Sequence, residues 1–224
     1  VQTRTIELQE IHGRVRTKDW VPEQEEIVVA TADMPAADWA KALRFSWVTM
    51  TMHSLKLGFY LMAWLVDRCS VRHSDFLSFL AEGEFDAAEF PRWSAQLAAF
   101  DRKIETLRQG QGRGCELPEY GGIYWDEEEA CFLRLSQDFD GFYAELRELV
   151  LEFAERRGLS FDLTELDDVL RFQSLVIPRP SGRSSQRARF EHDLPGWFEA
   201  LFATEPVAMQ AAATVVEAIQ QGDI

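Results

Sequence analysis

The stretch from Asp38 to Asp67, DWAKALRFSWVTMTMHSLKLGFYLMAWLVD, constrains this chain most, being its most apolar segment and free of proline. At helical periodicity Trp39, Leu43, Trp47, Met50, Leu57, Leu61 and Trp64 share one side. Leu55, Phe59, Met62, Leu65 and Val66 fill the other faces of the second half. A helix this apolar belongs in the middle of a domain or in a membrane. The segment is therefore expected to form one long buried helix, opened by Asp33 and Pro35 and closed at Arg68 and Cys69. A narrow polar stripe interrupts it: Ser46, Thr49, His53, Lys56 and Tyr60 recur at spacings of three and four. Buried polar groups are as a rule hydrogen-bonded, so the stripe needs partners. These are either one another and backbone carbonyls, or a cavity or neighbouring domain that the stripe faces. Thr51, Ser54 and Gly58 form a strip of small residues that lets a second helix approach closely.

The window from Val48 to Val66 has the length of a membrane span. His53 and Lys56 at its centre would be costly in lipid, so no membrane is expected. The formal charge of −15 argues against nucleic acid and anionic membrane surfaces as partners. Its distribution is uneven. Residues 116 to 175 carry 16 acids against 5 bases, a net of −11, whereas residues 176 to 190 carry four arginines and no acid. The acidic stretch reads as the solvated face of a helical region. Cys69, Cys115 and Cys131 form no close pair, which suits a reducing compartment and a cytoplasmic location. The start, VQTRTIELQE, shows no signal-peptide pattern and no initiator Met, and reads as a fragment or a processed product.

Along the chain, residues 3 to 16 alternate loosely through Ile6, Leu8, Ile11 and Val15, and EEIVVAT (25 to 31) is a β-branched run. Helices are expected over about 73 to 81 and 86 to 109, the latter ended by the flexible glycine run QGQGRG. A further helix runs from Asp126 to the stop at Gly158, with a break near Gly141, and a shorter one from Asp162 or Thr164 to Leu175. IPRPSGRSSQR reads as a loop. ARFEHDL (188 to 194) has strand alternation ended by Pro195 and Gly196, and helices over 197 to 203 and 206 to 220 close the chain. The expected fold is mainly α: a helical bundle around one long buried central helix, with a short β-hairpin near the N-terminus and one strand near residue 190. Residues 1–32 are expected to be a hairpin or the tail of a preceding domain, and 33–224 a helical C-terminal domain.

No chemistry-bearing motif stands out. His12, His53, His73 and His192 lack a second ligand at metal spacing beyond the pair Cys69 and His73, and there is no H-E-x-x-H. There is no G-x-S-x-G, and QGQGRG is no phosphate cradle. Asp126 to Glu129 are explained as acids on the positive end of a helix.

The residues do resemble one family. EIVVATADMPAADWAKALRFSWVTMTMHSLKLGFYLMAWL, GGIYWDEEEACFLRL and FEHDLPGWFEALF are similar to the region following the barrel in cobalamin-binding radical SAM proteins, over about Glu25 to Phe202. In that family a cobalamin domain precedes a partial TIM-like barrel, whose C-x3-C-x2-C motif holds a 4Fe–4S cluster that cleaves S-adenosylmethionine. Cys69, Cys115 and Cys131 lie 46 and 16 positions apart and do not form that motif. The resemblance thus implies a helical C-terminal cap, non-catalytic and binding no cofactor alone, whose partner is the preceding radical SAM barrel of the same protein. S-adenosylmethionine, the 4Fe–4S cluster and cobalamin are implied for the full-length family. Trp47, Thr49, His53, Lys56 and Tyr60 become the substrate-facing or domain-interface candidates. Two other readings stay open: a free-standing acidic helical adaptor binding a basic partner, and a small enzyme with a site near His53.

Overall fold

The structure, a computed structural model, describes residues 1–14, 19–180, 184–203 and 208–221. Val15 of the first alternating run, residues 181–183 of the loop and the first two residues of the last expected helix lie outside them. Two compact units are present, Val1–Leu55 with Leu80–Arg134 and Lys56–Phe79 with Leu135–Ile224. The chain is mixed α/β: eight α-helices and three two-stranded antiparallel sheets among the described residues. This overturns the helical bundle, and the reason lies in two places described below.

In the first unit, β1 (Gln2–Glu7) and β2 (Gln24–Ala30) pair antiparallel, with Ile6 and Val29 buried. Helix α1 (Ala36–Thr49) packs on β2 and on α4 (Pro91–Arg108). Pro91 opens α4 at a position where its missing N–H costs nothing. Arg44 of α1 holds Asp101 of α4 through Nη1, 3.3 Å from both carboxylate oxygens. Trp93 donates from Nε1 to the Leu80 carbonyl at 3.1 Å, so this fully buried indole is satisfied. A short ribbon, β3 (Cys115–Glu116) and β4 (Tyr124–Trp125), leads into α5 (Glu127–Ser136). The glycine run before β3 is packed rather than flexible. A side chain at Gly112 would stand 2.8 Å from Gln9, and Gly114 adopts a φ of +96 beside Gln9 and Ile11.

The second unit holds α2 (Phe59–Cys69), the first part of α3 (His73–Glu82), α6 (Phe139–Arg157), α7 (Leu163–Val176) and α8 (Leu194–Ala200). Helix α7 is central, packing on α2 and α6 and against β5 (Ser184–Phe190) and α8. Phe76 and Phe79 meet Phe153 at 5.2 and 5.3 Å between ring centres. Glu165 of α7 accepts from Arg68 at 2.6 and 2.9 Å and from Trp64 Nε1 at 3.3 Å. Aspartates begin three helices, each accepting a backbone N–H: Asp138 from Gly141, Asp162 from Thr164 and Asp193 from Gly196. The break expected near Gly141 therefore falls before Phe139, because Asp138 caps a new helix in which Gly141 is an early residue.

The first reason the bundle fails is the central segment, which is not one helix. After Thr49 the chain makes a π turn over Met50–Ser54, with the Leu55 N–H reaching back five residues to Met50 at 2.8 Å. Lys56 then takes a left-handed φ of +64, and α2 begins only at Phe59. Local chemistry favours this: Val48, Thr49 and Thr51 are β-branched, and Thr49 Oγ1 donates to the Phe45 carbonyl at 2.8 Å, a bond that loosens helices. The gap is closed within the second unit by α7 and α6. There the Gln173 amide donates to the Lys56 carbonyl while its Oε1 accepts the Tyr60 N–H at 2.8 Å, and the Tyr143 hydroxyl donates to the Leu57 carbonyl at 3.2 Å.

The second reason is the C-terminal region. Thr214–Gln220 is strand β6, paired along its length with β5, where a helix over 206 to 220 is expected. The alanines suggest a helix, but Thr214, Val216, Ala218 and Gln220 alternate on the less exposed face opposite the β5 residues. The strand expected over 188 to 194 starts earlier and ends at Phe190, since Asp193 and Pro195 begin α8. Among the described residues, no helix is long and apolar enough to cross a membrane.

Candidate functional site

The first unit contains a cleft of about 390 Å³, within the range of small-ligand sites. Helix α1 lines it through Trp39, Leu43, Ser46 and Trp47, and Met50, which opens the π turn, continues that face. Ile6, Ile27 and Val28 of the hairpin continue it, and Leu107 closes it from α4. Trp47 is held by Phe100, 5.4 Å between ring centres. Arg113, Gly114, Asp126 and the first residues of α5, Glu127 and Glu128, complete the lining.

The polar wall is built on buried pairs. Glu127 is 3% exposed; its Oε2 accepts the Cys115 thiol at 2.7 Å, and Lys103 Nζ stands 3.5 Å from Oε1. Lys103 gives its hydrogen bond to the Gly114 carbonyl at 2.7 Å, and Oε1 accepts none. The 3.5 Å approach is thus a Coulombic contact rather than a hydrogen bond. Arg113 lies 3.7 Å from Asp126, and His12 Nε2 lies 2.8 Å from Glu129, which also accepts the Asp126 N–H at 3.2 Å. Burial raises the carboxyl of Glu127 above its usual range, with Cys115 and Lys103 opposing it. Burial likewise raises Glu128, and its acidic neighbours add to the effect. The Cys115 thiol is pushed up to about 11 by burial and by Glu127.

Those thiols make a direct test. At pH 8 a thiol at about 11 carries on the order of a hundredfold less thiolate than an ordinary cysteine. Cys131 is fully buried and pushed to about 12. Iodoacetamide at pH 8, followed by peptide mapping, is expected to modify Cys69 while Cys115 and Cys131 stay intact. Modification of Cys115 at the rate of a free thiol would contradict the buried pair with Glu127.

The polar stripe is divided by the break. Trp47 lines the cleft, with Ser46 and Met50 beside it. Thr49 is half-buried and spends its hydroxyl on Phe45. His53 is half-buried on the π turn. Lys56 and Tyr60 belong to the second unit. Lys56 is exposed, its ammonium 5.9 Å from the centre of the Phe59 ring, and Tyr60 packs edge-on against Phe172 and Phe198 at 4.9 and 4.7 Å. Burial raises the Tyr60 phenol. The acids of the cleft were explained in the sequence as a helix start. Their link to Lys103 and Cys115 spans 24 and 12 positions and carries no motif.

The cysteines do not suit an iron–sulfur cluster. Cys115 is engaged by Glu127, Cys131 is enclosed, and Cys69 ends α2. Among the described residues no group of three His, Cys, Asp or Glu side chains converges as metal ligands do.

Compared with known proteins, the chain matches no family model. It is 25% identical over 220 residues to the cobalamin-dependent radical SAM methyltransferase TokK of Streptomyces tokunonensis. The match takes in 87% of this chain and 30% of that protein, so the chain spans about a third of the relative's length.

Proposed function

We propose that this chain is the C-terminal accessory domain of a cobalamin-dependent radical SAM enzyme of the methyltransferase type, working with a barrel domain of the same protein. One observation carries the reading: 87% of the chain aligns with less than a third of such an enzyme. In this reading the cluster, S-adenosylmethionine and cobalamin belong to the other domains, and no step of the chemistry runs through the residues described. Their contribution is to shape and dry the substrate end. Trp47 does so from the cleft, and Thr49, His53, Lys56 and Tyr60 are the further candidates for contact with substrate or barrel.

The test is the complete coding sequence containing these residues, expressed and reconstituted anaerobically. Absorbance of a 4Fe–4S cluster and of bound cobalamin is expected, with cleavage of S-adenosylmethionine on reduction. A full-length product that takes up neither cofactor would overturn the reading. In the loaded protein Trp47→Ala is expected to lower methyl transfer at least tenfold while cofactor absorbance is unchanged, which separates substrate shaping from loss of cofactor.

A further inference from the structure

The cleft of the first unit pairs an aromatic wall with an acidic one, and the two walls together specify a ligand chemistry. On one side the indoles of Trp39 and Trp47 and the side chains of Leu43 and Met50 offer apolar and π surface. The same cleft is lined by three carboxylates and one guanidinium, those of Asp126, Glu127, Glu128 and Arg113, and Lys103 and Arg134 act on Glu127 besides. Arg113 is 3.7 Å from Asp126, which accounts for that charge. Lys103 approaches Glu127 from within the protein, yet Glu127 Oε1 is buried and accepts no hydrogen bond. Among the described residues, no ion pair reaches Glu128.

Acids in a first helical turn are ordinarily explained by the helix dipole, and that explanation places them in water. Here it is incomplete. Glu127 is 3% exposed and Glu128 half-buried, and burial opposes ionisation of both. Carboxylates kept from water on the wall of an aromatic cleft are held in an unfavourable state that a bound cation would relieve. An ammonium group also interacts favourably with a tryptophan face, the more so when it is desolvated. An anion would meet the carboxylate of Glu128, which no ion pair reaches among the described residues, and a neutral apolar molecule would leave that carboxylate as it is.

We propose that this cleft binds a small amphipathic ammonium compound, its apolar body against Trp39 and Trp47 and its charged nitrogen towards Glu128 at the mouth of the Glu127 site. Binding is a property of this unit alone. Only the step of identifying the bound compound with an enzyme's substrate rests on the function proposed above.

Hexylammonium is a suitable probe, with hexanol and hexanoate as neutral and anionic counterparts of the same length. Titrated into the 224-residue protein, hexylammonium is expected to shift tryptophan emission saturably. Hexanol should bind at least tenfold more weakly, and hexanoate more weakly again. Glu128→Gln should lower hexylammonium affinity about tenfold and leave hexanol unchanged. Trp47→Phe, which retains an aromatic face, should keep binding while removing part of the emission change. Equal affinity for hexylammonium and hexanol, preference for hexanoate, or an unaltered Glu128→Gln would each overturn the proposal. Because cofactor uptake by the full-length protein is measured separately, a failed titration leaves the radical SAM reading standing, and failed uptake leaves the cation site standing.

Discussion

Asp168→Leu is expected to destabilise the second unit by about 4 kcal/mol. One oxygen, Oδ2, gathers three donors: the backbone N–H of Glu191 at 2.8 Å, that of His192 at 3.0 Å, and His192 Nδ1 at 2.9 Å. Asp168 and His192 are 6% and 7% exposed, so water does not replace what the carboxylate supplies. The contact fixes the turn between β5 and α8 to the middle of α7, the helix on which the unit is assembled. Leucine would fill the volume and strand the donors. Asp168→Asn keeps an acceptor at the same place and should cost only roughly 1–2 kcal/mol. Denaturant unfolding followed by circular dichroism separates the two variants. Equal losses for leucine and asparagine would mean that charge, not acceptor geometry, is what matters there.

Gln173→Leu should cost about 3 kcal/mol for a related reason. The Gln173 side chain is fully buried and is the only described group that both donates to the Lys56 carbonyl and accepts the Tyr60 N–H. Lys56 ends the left-handed turn and Tyr60 lies in the first turn of α2, so one amide satisfies both sides of the break. Leucine leaves two part-buried backbone groups without these partners. Gln173→Glu keeps the acceptor and loses the donor, and its midpoint should fall between those of wild type and Gln173→Leu. Hydrogen exchange gives a local readout: the Tyr60 amide is expected to lose protection in Gln173→Leu before the rest of α2. A Tyr60 amide as protected as in the wild type would show that Gln173 does not hold the break.

What could be read along the chain was what neighbouring residues decide among themselves. Asp162 capping α7 and Gly158 in the left-handed conformation after α6 are local events, each legible within a few positions, whereas the helix expected from about residue 86 begins only at Pro91. The same holds for the apolar face of α1, since Trp39, Leu43 and Trp47 do line one surface together. The coarse likeness to cobalamin-dependent radical SAM proteins was legible as well, the chain being 25% identical over 220 residues to one such methyltransferase.

The segment from Asp38 to Asp67 shows where that reading ends. Its periodicity belongs to a continuous helix, and its sequence contains no proline to argue otherwise. Two helices result because Gln173, more than a hundred positions away, satisfies the backbone that the break exposes. Without that partner a break there would leave buried polar groups unpaired, and a continuous helix would be the lower-energy choice. β6 follows the same logic, its strand conformation fixed by pairing with β5 rather than by its own alanines. So does the cleft, whose acidic wall matters only because folding sets Cys115, Lys103 and Glu127 beside the tryptophans of α1. The sequence alone determined local stops and caps such as Gly158 and Asp162, the apolar face of α1 and the outline of a family likeness. Tertiary structure decided where the polar groups find partners, because hydrogen bonds and buried charges act between residues that only the fold brings within reach.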